Sequence, residues 1–306
     1  MNIYSPSPSR VPSKNSPHCQ PVQVHQPARR RHLGTGLLSL LVLLTLPVVV
    51  QAQFIYTTNN GAITITRYTG TGDDVTIPDT TNGLPVTSIG QYAFSSHTSL
   101  TNVTIPHGIV NIEDYAFSQC FGLASASIPN SLTNIGVGAF YSCISLATIT
   151  IPSGVISIGD YAFSACMRLP SVTIPPGVIR IGDSAFSGCT SLTIVSVPSS
   201  VISIGNCAFS VAFGGIYGAS GNNSLVTITV DPENLNYTSV DGVLFNKSQT
   251  TLLQYPAGKL GASYTISNSV TSIAGYAFFG SVSLTNITIP AASQNLGTRP
   301  SLSAII

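Results

Sequence analysis

The sequence predicts a mainly β fold: a solenoid of short parallel strands with an N-terminal β-hairpin as its cap. Three observations predict it. An Ala-Phe pair recurs with a fixed period, because Phe94, Phe117, Phe140, Phe163, Phe186 and Phe209 lie 23 residues apart and Phe278 returns three periods after Phe209. Pro106, Pro129, Pro152, Pro175 and Pro198 keep the same period, each closing a segment of the form L-x-x-[hydrophobic]-x-[IV]-P. Finally, 27 Gly and 20 Pro stand among many Thr, Ser, Val and Ile with no long Ala/Glu/Lys/Leu stretch, which favours strands and turns and excludes a helical bundle.

Charge narrows the functional classes. Of 306 residues, 43% are hydrophobic and 7% charged, against about 25% charged in an ordinary soluble domain. Five basic residues and no acidic ones precede residue 53, leaving six basic and ten acidic residues from Gln53 onward. That balance cannot neutralise a row of phosphates, so nucleic-acid partners are excluded.

The elements follow in chain order. Arg29-Arg30-Arg31 precedes an apolar run from Leu33 to Val50, and Val50 and Ala52 place small residues at the −3 and −1 positions of a cleavage site. Residues 1–52 therefore read as a secretory signal with an unusually long, Pro- and Ser-rich leading region, cleaved near Ala52. A membrane anchor is the competing reading, since about 18 apolar residues can just span a bilayer. Residues 53–76 form the cap, with IYTTNNGAITITRY as two strands around the turn residues Asn59, Asn60 and Gly61. Residues 77–290 form the solenoid. Its strands are LTNVTIP, LASASIP, LATITIP, LPSVTIP, LTIVSVP and LTNITIP, whose apolar positions face inward with strand spacing, weakened in the second copy by Ala126. The second half of each unit, with Ile112, Ile135, Ile158, Ile181 or Ile204, turns the chain back. One unit cannot bury its own apolar face, so copies stack into a continuous core filled mainly by the Phe column. An irregular insert covers about residues 211–263, including the bulging loop GGIYGASGNN and turns at Pro232 and Asp241-Gly242. Residues 291–306 form a non-repeat tail.

The 23-residue length and the order L-x-x-V-x-I-P, I-G-x-x-A-F, C-x-x-L resemble the BspA-like class of bacterial leucine-rich repeats, over about Val75 to Pro290. The resemblance implies a leucine-rich-repeat solenoid and a secreted or surface-exposed protein associated with adhesion and host or matrix contact.

Candidate chemistry is sparse. Cys120, Cys143, Cys166 and Cys189 form a ladder with period 23. Rungs about 4.8 Å apart permit either small buried thiols or occasional disulfides, whereas a linear stack does not converge on a metal. Cys207 replaces a residue in the column of Tyr92, Tyr115, Tyr161 and Tyr276. Asp114, Asp160 and Asp183 share a column and either satisfy turn backbone groups or share a cation. His97 and His107 read as repeat variants. No catalytic, cofactor or metal site is assigned.

The broadest candidate surface is the outward set Thr101, Asn102 and Thr104; Ser125 and Ser127; Thr148 and Thr150; Ser171 and Thr173; Thr193 and Ser196; with Thr285, Asn286 and Thr288 later. It is either an ordinary exposed sheet face or a platform for an extracellular protein or glycan. Three functions compete: non-catalytic binding or adhesion through the repeat face, a passive envelope protein that self-associates through its solenoid ends, and a secreted polysaccharide-degrading enzyme on a β-helix. Against the enzyme, no carboxylate pair has distinctive spacing.

Overall fold

The computed structural model describes residues 53–210 and 224–290. The expected signal, the loop at 211–223 and the tail lie outside the described residues. In chain order the strands are β1 (Phe54–Asn59), β2 (Ala62–Tyr68), β3 (Asp74–Thr76), β4 (Thr80–Thr81), β5 (Leu84–Ile89), β6 (Asn102–Thr104), β7 (Asn111–Ile112) and β8 (Ser125–Ser127). They continue as β9 (Asn134–Ile135), β10 (Thr148–Ile149), β11 (Ser157–Ile158), β12 (Val172–Thr173), β13 (Arg180–Ile181), β14 (Ile194–Val197) and β15 (Ser203–Ile204). Beyond the undescribed loop come β16 (Thr227–Val230), β17 (Tyr237–Val240), β18 (Val243–Asn246), β19 (Thr251–Gln254), β20 (Ser263–Thr265), β21 (Ser272–Ile273) and β22 (Asn286–Thr288).

β1 and β2 form an antiparallel hairpin. Asn60 (φ 49°) and Gly61 (φ 76°) both adopt left-handed backbone at its turn, the conformation that suits a two-residue hairpin loop. β2 then pairs in parallel with β5, and the sheet continues β7, β9, β11, β13, β15 with one strand per turn. The half-unit expected to turn the chain back thus carries a second ladder of strands. Each is only two residues long, too short for an alternation pattern to announce it.

The first ladder holds the L-x-x-V-x-I segments, with β3, β6, β8 and β10 in order and β12, β14 and β16 as a separate sheet. Leu100, Val103 and Ile105 are buried in one copy and Leu192, Val195 and Val197 in another. The break between β10 and β12 has a covalent cause. In earlier turns the Ala124 N–H donates to the Thr101 carbonyl (2.8 Å) and the Ala147 N–H to the Ala124 carbonyl (2.9 Å). The next donor in that series would be residue 170, which is proline and has no N–H. The second ladder runs on past the break, Ser157 opposite Arg180 and Ile158 opposite Ile181.

Between the ladders the Phe rings stack on one another, with centroids 5.2 Å apart for Phe117–Phe140 and 5.3 Å for Phe140–Phe163 and Phe163–Phe186. The backbone there follows the same register. The N–H of Phe94, Phe117, Phe140 and Phe163 each donates to an alanine carbonyl of the following turn, at 2.7–2.8 Å. Tyr68 extends the stack into the hairpin, 5.1 Å from Phe94. Tyr255 takes the same place one period before Phe278, with its N–H on the Ala277 carbonyl (2.8 Å) and its ring 5.4 Å from Phe278.

The core is not continuous, contrary to the expectation from the repeat alone. One cluster runs from Phe54 to Leu244 and a second gathers Val243, Phe245, Leu252, Tyr255, Phe278 and their neighbours. The division falls where the insert replaces repeat geometry with the antiparallel strands β17, β18 and β19. β19 rejoins the solenoid by pairing in parallel with β21, and β20 pairs with β22 one full period apart, Ser263 opposite Asn286.

Two stability measurements follow from this packing. Phe163 lies fully buried between two stacked neighbours, so Phe163→Ala is expected to cost about 3–5 kcal/mol in chemical denaturation. A loss below about 1 kcal/mol would contradict its place in the core. Pro170→Thr supplies the missing N–H to the Ala147 carbonyl. It should raise stability by about 0.5–1 kcal/mol, since a net backbone hydrogen bond is partly offset by a freer unfolded chain. An unchanged denaturation midpoint would place the cause of the ladder break elsewhere.

Candidate functional site

The outward residues of the first ladder fall into separate columns with different commitments. Thr101, Thr193 and Thr285 turn their hydroxyls onto backbone carbonyls of the preceding turn, those of Asp73 (2.8 Å), Pro170 (3.4 Å) and Ala262 (3.0 Å). Asn102 donates to the Asp74 carboxylate at 3.0 Å and accepts from the Ser125 hydroxyl at 2.8 Å, forming a side-chain chain across three turns. These groups are engaged in holding turns together.

The last outward position differs. Thr104, Ser127, Thr150, Thr173 and Ser196 are exposed, and Thr104 stands opposite Ser127 and Thr173 opposite Ser196 in register. Among the described residues no hydrogen bond within the chain engages their hydroxyls. Thr148 and Ser171 are also exposed, on either side of the Pro170 break, and Thr288 occupies the outward position of the final strand. The candidate surface is therefore an uncharged hydroxyl column, one group per turn, interrupted at Pro170 in its backbone pairing.

The titratable columns are absorbed by the scaffold. Asp114 Oδ1 accepts the Val137 N–H at 2.8 Å, Asp160 Oδ1 the Asp183 N–H at 2.9 Å, and Asp183 Oδ1 the Asn206 N–H at 2.7 Å. Each carboxylate thus satisfies a donor exactly one turn ahead, the structural alternative of the two readings. Asp160 also pairs with Arg180 at 2.9 Å, an exposed contact of small energetic value. Among the described residues no group of three His, Cys, Asp or Glu side chains is placed to hold a metal ion.

The cysteine ladder consists of free thiols. Sγ of Cys120, Cys143, Cys166 and Cys189 donates to the carbonyl of Phe94, Phe117, Phe140 and Phe163 respectively, at 3.1–3.3 Å. His97 heads the same column, with Nδ1 3.0 Å from the Phe94 carbonyl. Burial pushes the Cys120 and Cys189 thiols up to about 12 and raises Cys143 and Cys166 well above the ordinary thiol value. Cys207, half-buried with left-handed backbone, shares the column of Tyr92, Tyr115, Tyr161 and Tyr276, each of which also has φ between 55° and 65°. Tyr92 and Tyr115 stack at 5.2 Å.

One feature of the second ladder escaped the sequence reading. Val110, Ile156, Ile179 and Ile202 project outward, and the last three are 51%, 44% and 59% exposed, enough to make a continuous aliphatic stripe on successive turns. The signal was present in the 23-residue recurrence of Ile156, Ile179 and Ile202, although Ile156 lies between buried Val155 and Ile158, a spacing of three that does not read as strand alternation. Assigning that half-unit to a turn concealed it.

Stacked 23-residue turns, with a parallel strand on each of two faces and a buried ring column between them, define the class as a repeat solenoid. The sequence profile of the BspA type leucine rich repeat region matches residues 75–213 and 259–300 in six copies, and the chain belongs to that family. A leucine rich cell surface protein from Faecalibacterium prausnitzii is similar in structure, with 31% identity over 77% of this chain and 71% of its own and a TM-score of 0.58. A leucine-rich repeat protein from Eubacterium ventriosum shares 26% identity over 78% of this chain and 58% of its own, with a TM-score of 0.54. The pneumococcal vaccine antigen PcpA shares the fold at 21% identity and a TM-score of 0.56, over 78% of this chain and 69% of its own. No curated protein sequence matches the chain significantly.

Thiol reactivity tests the described arrangement. A thiol whose pKa is raised holds less thiolate at a given pH, and thiolate is the nucleophile. At pH 8, iodoacetamide should therefore modify Cys207 well before Cys120, Cys143, Cys166 or Cys189, all four reacting readily only in denaturant. Rapid native labelling of Cys143 or Cys166, read by peptide mass spectrometry, would contradict their burial.

Proposed function

We propose that the protein is an exported, non-catalytic binding protein that engages an extracellular protein or glycan along the hydroxyl column of its first ladder. The observation that carries this reading is the free set Thr104, Ser127, Thr150, Thr173 and Ser196. A ligand lying along it meets the same chemistry at each turn, so weak contacts sum to useful avidity. Export rests on the N-terminal signal pattern and agrees with the description of the Faecalibacterium protein as a cell surface protein. The absence of a catalytic role is supported by the carboxylate column, in which Oδ1 of each Asp accepts a backbone N–H of the next turn.

A second reading is self-association, favoured by the exposed stripe of Ile156, Ile179 and Ile202. The stripe would direct it through the side of the solenoid, not its ends.

The test is a combined glycan and matrix-protein array probed with the exported chain and with Thr104→Lys/Ser127→Lys. Both side chains are exposed, so the double variant should keep the wild-type melting temperature within a few degrees. It places two like charges directly across a strand pair and should weaken capture of any ligand found at least tenfold. Undiminished binding by a folded double variant would remove the strand face as the site.

A further inference from the structure

The insert creates a cleft that the regular repeat does not have. The tip of the β17–β18 hairpin, at Asp241 (φ 49°) and Gly242 (φ 78°), approaches the turn that follows β20 and leaves a recess of about 380 Å³ between them. That volume lies within the usual range for small-ligand sites. Its inner wall includes the buried side chains of Phe245 and Ile266. Val240 and Tyr264 add further apolar surface. Asp241, Gln249, Thr265 and Asn268 supply the polar rim, and among the described residues no hydrogen bond within the chain engages their side chains.

The position of this cleft is as informative as its lining. Thr265 pairs with Thr288 in the final ladder and holds the repeat position that Thr104 and Thr173 hold in theirs. The hairpin tip rises beside that column, with the Ile228 N–H held by the Gly242 carbonyl at 2.9 Å. At this repeat position the Thr265 hydroxyl therefore lines a recess instead of an open face.

The chemistry selects a ligand class. An anion would meet the Asp241 carboxylate, while the nearby cation, Lys259, spends its ammonium on the Asp241 backbone carbonyl at 2.7 Å and does not line the cleft. A simple cation would use the carboxylate and the amide oxygens but leave the amide N–H donors and the apolar wall without partners. A pyranose uses both surfaces: its C–H face packs on Tyr264 and Val240, and adjacent hydroxyls donate to the carboxylate and exchange hydrogen bonds with the amides. Burial, with Tyr255 and the Asp241 carboxylate nearby, holds the Tyr264 hydroxyl in its protonated form with a pKa of about 12.

We propose that the cleft formed by Asp241, Gln249, Tyr264, Thr265 and Asn268 binds a neutral pyranose unit bearing adjacent free hydroxyls. This goes beyond the strand-face reading and does not depend on it, although a glycan could occupy both.

Saturation-transfer NMR on the full exported chain tests it, using methyl α-D-mannopyranoside, methyl β-D-galactopyranoside and methyl N-acetyl-β-D-glucosaminide as neutral probes, with glucuronate and choline as charged ones. At least one neutral glycoside should receive saturation at its ring protons. Asp241→Asn keeps a side chain that tolerates the left-handed hairpin turn, and should weaken that binding at least threefold, as should Asn268→Ala at an exposed position. Thr104→Lys/Ser127→Lys should leave it unchanged. The proposal is overturned if no neutral glycoside binds, if glucuronate or choline binds more tightly, or if either cleft variant loses less than threefold while retaining the wild-type melting temperature. Binding abolished by the strand-face pair and preserved in Asp241→Asn would overturn the cleft while supporting the strand face.

Discussion

Register between successive turns is the constraint on which the rest of the structure depends. No turn satisfies all of its own backbone or covers its own ring, so many groups find their partners in a neighbouring turn. The Phe N–H goes to an alanine carbonyl of the next turn, the Asp carboxylate to an N–H of the next turn, and the Cys thiol to a Phe carbonyl of the previous one. Buried backbone donors are seldom left unpaired, which is why a fixed length of 23 residues is kept wherever these columns run. The Ile-Gly pair expresses the same constraint sterically: a Cβ on Gly159 would lie 2.6 Å from the carbonyl carbon of Gly136 in the turn before it.

Departures from that register have local consequences because contacts reach only to neighbouring turns. Proline at position 170 removes one donor, and the first ladder divides there while the second passes unchanged. The insert has a larger effect. β16 pairs with β14 across 33 residues, as Thr227 opposite Ile194 shows, and three antiparallel strands then intervene before parallel pairing resumes. The core splits at that point, and Tyr255 restores the ring column in place of Phe.

These two kinds of residue also separate structure from candidate function. Side chains in the Asp, Cys and Asn102–Ser125 columns are committed to neighbouring turns, and their chemistry is spent on the scaffold. The free hydroxyls, the aliphatic stripe and the cleft at the hairpin tip lie where a side chain has no partner in the next turn. Loops and interruptions carried on a rigid scaffold are common places for recognition, and here the interruption supplies the carboxylate and amides that the regular face lacks.

The repeat length, the inward Leu, Val, Ile and Phe positions and the family were legible in the sequence, because a 23-residue period repeats each local preference until chance is excluded. The replacement of Phe by Tyr at position 255 was also within reach of the same arithmetic, although no Ala-Phe pair marked it. The second ladder was not legible, since two-residue strands are held by neighbours in the stack and carry too little alternation of their own. Which hydroxyls remain free was hidden for a related reason: Thr101 and Thr104 are the same residue type three positions apart, and only the direction of each side chain against the preceding turn decides that one is bonded and the other available. The sequence determined the repeating unit through local pattern, while the tertiary structure alone decided the second ladder, the core division and the cleft, because each depends on atoms brought together from different turns.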